Sequence, residues 1–477
     1  MAEHPYPVAN KERIAVVGSG IAGLTAAHLL SRKYAVTIFE REHTIGMDAF
    51  STDHAGARMD IPLRVFSEAY YPSLCKLYRM LGVRYHAADY SFCLLRPNAP
   101  AYFRYINILR AGKAIPVPCL WHLGSLAKCA RLLLNWLHFL RHSPRLLELP
   151  ESAGLSLASF LKLHGYPKEF ATDLLLPMLS VVCTCSFAAV EEYPAAFVVD
   201  YFADKYGLSG AQCRAIDGTK AVAERLSAGA ERVEVGAAVA AVTPEAGGGV
   251  TVRWRRRGGG EVREKFAQVV LATQANASQE LLSGAKSAGA AALAGALRTV
   301  RYERHRVVLH EDASLMPPSR ADWSPLNIEV AADAGAASCT VWMNRIDAAL
   351  ASSLQRNVFQ TWNPTAEPAA DLVVVDLPFD RPVMNAKTVE ALAEVRDRQG
   401  EGGVWIVGAY SRLSMPLLEN GVQSAIDVAT ALGVDCSEIA FVPPKADGGS
   451  ALPTLFLLLA AGLGCVCVVL GFPASLY

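Results

Sequence analysis

The sequence predicts an α/β protein in which a parallel nucleotide-binding sheet is split along the chain. An α+β unit is inserted into it, and a transmembrane helix follows at the C-terminal end. Three observations carry this reading. Residues Arg13 to Glu42 read as strand, glycine loop, helix, strand and acid. Strand patterns return after residue 232 and again at Gly403 to Val407, separated by stretches of other character. No charged residue follows Asp447.

Ile14 to Val17 is a short apolar, β-branched run of the kind a buried parallel strand requires. Gly18, Gly20 and Gly23 follow at G-x-G-x-x-G spacing. Each has a mechanical reason: a tight turn, close approach of backbone to a pyrophosphate, and helix–strand packing. The helix beginning near Ile21 and Ala22 aims free N–H groups and its positive dipole end at the phosphates. Ala35 to Phe39 is the second strand, and Glu40, followed by Arg41, closes it where a carboxylate accepts hydrogen bonds from a ribose diol. The same carboxylate repels a 2′-phosphate, which disfavours NADP. The motif by itself does not separate FAD from NAD.

The 477 residues suffice for two or three domains. Forty-five basic residues balance forty-five acidic ones, so charge gives no case for nucleic acid. A hydrophobic content of 52% points to a membrane segment or a greasy substrate tunnel. The N-terminal stretch MAEHPYPVANKER has no apolar core, so no secretory signal peptide is expected. In a reducing compartment the eleven cysteines are expected to be free, and neither Cys183-Thr-Cys185 nor Cys465-Val-Cys467 has metal-ligand spacing. No metal is expected.

Along the chain, Asp60 to Phe66 reads as a strand or loop, and Tyr70 to Leu81 as a helix stopped at Gly82. Leu120 to Leu149 is largely helical, with Lys128, Arg131, Arg141 and Arg145 interleaved. This is either a basic face on a membrane or the cover of a core. Phe170 to Phe202 is a second apolar, mainly helical block. A meander with the basic hairpin Arg253–Arg257 and a return strand ending at Thr273 follow, then strands at Arg301–His310 and Ala337–Met343. Gly403 to Val407 is a buried strand, and a helix is expected from Gly421. Ala451 to Phe472 is long enough to cross a hydrocarbon core as a helix. It is expected to be a single anchor that inserts post-translationally and leaves the catalytic body facing the cytosol.

Several longer stretches carry a family resemblance. They include YYPSLCKLYRMLGV, FATDLLLPMLSVVCTCS, VVLATQANASQELL and WIVGAYSRLSMPLLENGVQSAIDVATALG. From Arg13 to Gly433 the chain resembles the FAD-dependent flavin amine oxidase and phytoene desaturase superfamily. Within it, the chain looks most like predicted FAD/NAD-binding oxidoreductases often encoded beside cyclopropane fatty-acid synthases. The resemblance implies a split Rossmann-like FAD-binding domain at 1–66, 215–300 and 395–435, and a substrate domain at 67–214 and 301–394. The anchor would be 451–472. FAD would lie with Gly18, Gly20, Gly23 and Glu40 at the pyrophosphate and ribose, and Val239 at the adenine. Ala272 and Thr273 would lie near the pyrophosphate, Gly408 and Ala409 by the ribityl chain, and Gly421 and Val422 at the flavin ring.

The chain departs from the superfamily pattern at Met47, Asp48, Pro62 and Leu63. It also lacks what amine oxidation uses: Arg301 to His310 contains no lysine, and Leu418 stands in the position of a cage tyrosine. The expected chemistry is therefore hydride transfer to or from an apolar substrate of acyl, polyketide or terpenoid type. Redox-neutral double-bond isomerisation, amine oxidation and a tethered flavoprotein without turnover are the alternatives. His310, Asp312 and Tyr410 are the candidate catalytic groups. At a strand end a histidine equally suits a structural role, and the tyrosine equally suits packing on the flavin.

Overall fold

The computed structural model describes residues 11–46, 49–110, 113–118, 122–202 and 211–440. Met47, Asp48 and the apolar segment 451–472 lie outside the described residues. Among the described residues no helix is long and apolar enough to cross a membrane.

The first strand, Arg13–Val17, pairs in parallel with Ala35–Phe39 on one side and Gln268–Leu271 on the other. Arg232–Glu234 and Val404–Ile406 complete a five-stranded, wholly parallel sheet as its two edges. Alternation along the strands assigns the two faces. Ile14, Val16, Val36 and Ile38 are fully buried against the helices Ile21–Leu30 and Leu418–Ala431. Ala15, Val17 and Phe39 face the antiparallel meander Ala237–Pro244, Val250–Arg256 and Glu261–Phe266. There Phe39 packs on Trp254 and Phe266, with ring centroids 5.3 and 5.9 Å away. Both faces are covered, as near-continuous apolar strands require.

A second sheet has eight strands, with Val373–Pro382 at one edge and Lys113–Pro118 at the other. Its strands come from two separate parts of the chain. They join where Phe92–Leu95 pairs in parallel with Leu326–Val330; the other pairings are antiparallel. Helices cover it. Leu126–Leu147 buries Cys129, Leu132, Trp136 and Phe139 at helical spacing, so its apolar stripe covers a core. Two of its basic residues are paired, Lys128 with the buried Asp173 at 2.5 Å and Arg131 with Glu169 at 3.0 Å on the surface. The expected helix at Tyr70–Leu81 is Pro72–Met80, ended at Gly82, whose φ of +64° favours glycine.

One boundary is corrected. The last helix begins at Leu418, so Gly421 lies inside its first turn rather than opening it. A Cβ on Gly421 would come within 2.9 Å of Ile21 Cγ2. The glycine lets the two helices cross closely and brings both N-termini to the same edge of the parallel sheet.

Candidate functional site

The parallel sheet reverses its winding between Arg13–Val17 and Gln268–Leu271, and ligands bind outside the carboxyl ends of such strands. Gly18 leaves the first strand with φ +97° and its N–H donates to Phe39 O at 2.8 Å. A Cβ there would stand 2.9 Å from Ala272 O, and one on Gly23 would fall onto Gly18 O. Gly20 differs: a Cβ on it would meet nothing within 4 Å. That open space above a helix N-terminus is where a phosphate approaches the backbone.

Glu40 organises the loop. Its Oε2 accepts from Ser19 N at 3.0 Å and Ser19 Oγ at 2.5 Å, and its Oε1 accepts from Glu42 N at 2.9 Å. Oε1 keeps acceptor capacity for a hydroxyl. Arg41 is exposed and paired with Glu42. Val239 is half-buried beside a bulge that drops Ala240 from the strand pairing. Thr273 Oγ1 is 2.7 Å from Ser278 Oγ, and Gly408 N donates to Ser424 Oγ at 3.1 Å. Gly18, Gly20, Ile21, Ala22, Gly23, Ala272, Gly421 and Val422 thus meet at one edge. The donor set, the glycine contacts and the acid fit a dinucleotide.

Beside this edge lies a cavity of about 310 Å³. Ala409, Leu417 and Leu418 form its wall toward the last helix, and Pro62 to Val65 form a second wall. The large sheet contributes Phe92, Tyr105, Leu326, Ile328 and Trp362; the helical layer contributes Met178, Val181, Val182 and Tyr201. Tyr70 and Tyr201 meet edge to face, with centroids 4.8 Å apart. Burial pushes the phenols of Tyr71 and Tyr201 and the Cys183 thiol well above their ordinary values, so all three stay neutral. Thr184, also in the lining, has φ +53°, a strained conformation for a β-branched residue.

Two cationic side chains, Arg64 and Arg381, line the cavity without any Asp, Glu, Lys or His among the described lining residues. Sequence reasoning missed both. The available signal was a lone cation inside the apolar run Ile61-Pro62-Leu63-Arg64-Val65-Phe66. The loop is held by Gln360, whose Oε1 accepts from Leu63 N at 2.7 Å and whose Nε2 donates to Asp60 O at 3.1 Å.

The three catalytic candidates stand elsewhere. His310 is fully buried; its Nε2 is 2.7 Å from Thr361 Oγ1 and its Nδ1 accepts from Asp312 N at 3.2 Å. Burial lowers its pKa to about 4, so it is neutral, and neither nitrogen is left for a substrate. Asp312 accepts from Ser314 N and Ala369 N, both at 2.8 Å, and so ties two loops. Tyr410 is buried, and its ring packs so closely on Gly408 that a Cβ there would be 2.7 Å from Tyr410 Cε1. None of the three lines the cavity. Protein neighbours occupy both nitrogens of His310, whereas the Tyr410 hydroxyl is buried without a hydrogen-bond partner among the described residues. Cys185, Glu303 and His305 bring potential ligand atoms within 4.8 Å of one another. Glu303, however, already accepts from Ser186 N and Oγ at 3.0 Å, so protein hydrogen bonds account for the cluster.

A glycine loop at the switch point of a split parallel sheet, set against a second sheet with a cavity beside it, defines a dinucleotide-binding α/β fold. Residues 16–81 match the model of the NAD(P)-binding Rossmann-like domain. Among solved structures, the chain is similar to a CLA-producing fatty acid isomerase from P. acnes. That match has 16% identity and a TM-score of 0.60, and covers 90% of this chain and 100% of the other. It is similar to putrescine oxidase bound to putrescine, at 14% identity and a TM-score of 0.60, covering 89% and 99%. Cyclohexylamine oxidase from Brevibacterium oxydans IH-35A matches at 14% identity and a TM-score of 0.56, covering 89% and 100%. No curated protein sequence matches the chain. At these identities the likeness is one of fold, and it is the fold expected from the motifs.

Proposed function

We propose that the chain is an FAD-dependent oxidoreductase acting by hydride transfer on an apolar substrate held in the 310 Å³ cavity. FAD, when bound, supplies a hydride acceptor at flavin N5. The Gly18–Gly23 loop and Glu40 hold the pyrophosphate and ribose. Two helix N-termini, at Ile21 and Leu418, favour negative charge on the cofactor. Leu417, Leu418 and the tyrosines exclude water from the reacting carbon.

The observation that carries this reading is the charge of the cavity. Its walls are aromatic and aliphatic, and its charged lining groups are two guanidiniums. An ammonium substrate would enter against two like charges with no carboxylate among the described lining residues to meet it. That argues against the amine chemistry named for two of the structural neighbours. The isomerase of the third keeps a redox-neutral double-bond rearrangement as the second reading.

Anaerobic bleaching of the flavin by unsaturated acyl and polyene compounds, set against benzylamine and polyamines, tests the proposal. Affinity for the acyl series is expected to rise by about 0.8 kcal/mol per buried CH₂. Bleaching by amines and not by lipids would restore amine oxidation. Product formation without bleaching or oxygen use would favour isomerisation.

We also propose that the uncharged segment 451–472 anchors the protein in a membrane with the body in the cytosol. Deleting residues from Ala451 onward is expected to move the protein to the soluble fraction with its flavin content unchanged. Unfolding on truncation would sink the anchor, because it would make the segment part of the core.

A further inference from the structure

We infer that Arg64 and Arg381 form a clamp for a carboxylate, so that the cavity takes an amphiphilic carboxylic acid rather than a neutral hydrocarbon. The inference rests on reading this cavity as the substrate chamber.

The two guanidiniums come from distant parts of the chain. Arg64 lies in the loop after Asp60, between the buried side chains of Leu63 and Phe66. Arg381 lies near the end of the edge strand Val373–Pro382. Neither makes a hydrogen bond or ion pair among the described residues, and the Nε of each is buried without a partner. Arg381 Cζ lies 5.7 Å from the centroid of the Phe379 ring, and Cys183, Cys185 and Tyr193 are also near it.

The nearby carboxylates take their hydrogen bonds from other groups, although the charge of Asp60 also acts on Arg64. Asp60 takes hydrogen bonds from Thr219 Oγ1 at 2.7 Å and Ser51 Oγ at 3.3 Å, and its Oδ2 faces Arg214 at 3.4 Å. Glu303, opposite Arg381 in the strand register, is held by Ser186 and lies 3.2 Å from His305. Burial, and then the charge of Arg381, push the Arg64 pKa down to about 10, yet both groups remain cationic at neutral pH.

Arg64 and Arg381 are half-buried with a buried Nε each, and two guanidiniums facing one cavity repel each other until an anion joins them. A carboxylate matches the planar fork of arginine with two parallel hydrogen bonds. The rest of the lining is apolar or neutral, which suits the chain attached to such a head group. The cofactor's phosphates belong with the Gly18–Gly23 loop, and no residue of that loop lines the cavity.

The test measures binding of cis-parinaric acid, a fluorescent polyene acid, and of its methyl ester to the FAD-loaded full-length protein. Flavin content per polypeptide is recorded for every variant. The acid is expected to bind at least about tenfold more tightly than the ester, and Arg64→Gln or Arg381→Gln to weaken the acid by roughly 10–100-fold. Ester binding and flavin content should stay as in the parent protein, and Arg64→Lys should recover part of the loss. Equal binding of acid and ester by the parent protein overturns the clamp, whether or not the variants fold. Loss of flavin in step with loss of acid binding also overturns it, because the arginines would then serve the cofactor. Displacement of the probe by lysophosphatidic acid but not by oleic acid would assign the clamp to a phosphate and overturn the carboxylate. Arginine-dependent acid binding with no bleaching and no product would leave the clamp standing while the oxidoreductase reading fails.

Discussion

Gly23→Ala is expected to abolish flavin binding and to destabilise the fold, whereas Gly20→Ala should abolish flavin binding and leave the fold intact. At Gly23 the new Cβ would collide with Gly18 O and stand 2.9 Å from Ala272 Cβ. Neither neighbour is free to yield. Gly18 N is bonded to Phe39 O and Ala272 N to Val17 O, both at 2.8 Å, so the loop is stapled to the sheet on two sides. Overpacking of this kind costs on the order of 1–3 kcal/mol, and the rigid backbone puts it at the upper end. At Gly20 the backbone is extended, with φ −64° and ψ 177°, which any residue adopts. A methyl group there touches no protein atom but occupies the path of the pyrophosphate. The check is flavin absorbance after gel filtration, with thermal unfolding of the flavin-free proteins. Gly20→Ala protein that retains a full complement of FAD would remove the phosphate role of this turn.

Arg214→Leu is expected to cost about 3–5 kcal/mol of stability, because it would strand two buried carboxylates. Arg214 is 5% exposed and donates to Asp347 Oδ2 at 2.7 Å and to Asp60 Oδ2 at 3.4 Å. Asp347 also caps the helix Ala348–Ser353 through Ala349 N at 2.7 Å. The arginine therefore ties the loop leading to Arg64 and the segment after the strand Ala337–Trp342 to its own strand, Gln212–Ala215. Adding Asp347→Asn should recover part of the loss, since one of the stranded charges is removed. Urea unfolding of the three proteins measures this. A loss below about 1 kcal/mol for Arg214→Leu would mean that the carboxylates are solvated and the network adds little.

What could be read along the chain was local. The spacing of Gly18, Gly20 and Gly23 after an apolar strand needs no knowledge of distant residues. Nor does the stripe of Cys129, Leu132, Trp136 and Phe139, or the stop at Gly82. The large sheet was only partly legible: Phe92–Leu95 is too short to announce itself, and its partner Leu326–Val330 lies far along the chain. The start of the last helix was misread because Gly421 looks like a beginning, while its actual use is a close crossing with Ile21.

The surroundings of His310 were illegible for a related reason. A sequence shows that His310 carries two ring nitrogens but not that Thr361 and Asp312 occupy both. That follows from the strand pairing that lays Phe359–Trp362 beside Tyr302–His310. Arg64 and Arg381 are the converse case. Each is an ordinary arginine in its own segment, and only tertiary structure brings both to one cavity with no acid among its described lining residues. The sequence by itself determined the nucleotide loop, the acid after the second strand and the fold class, because these depend on backbone conformation and periodicity within a few turns of chain. Tertiary structure decided which polar groups are satisfied and which are left facing a ligand, because a buried group's partner is set by packing between segments that the chain order does not bring together.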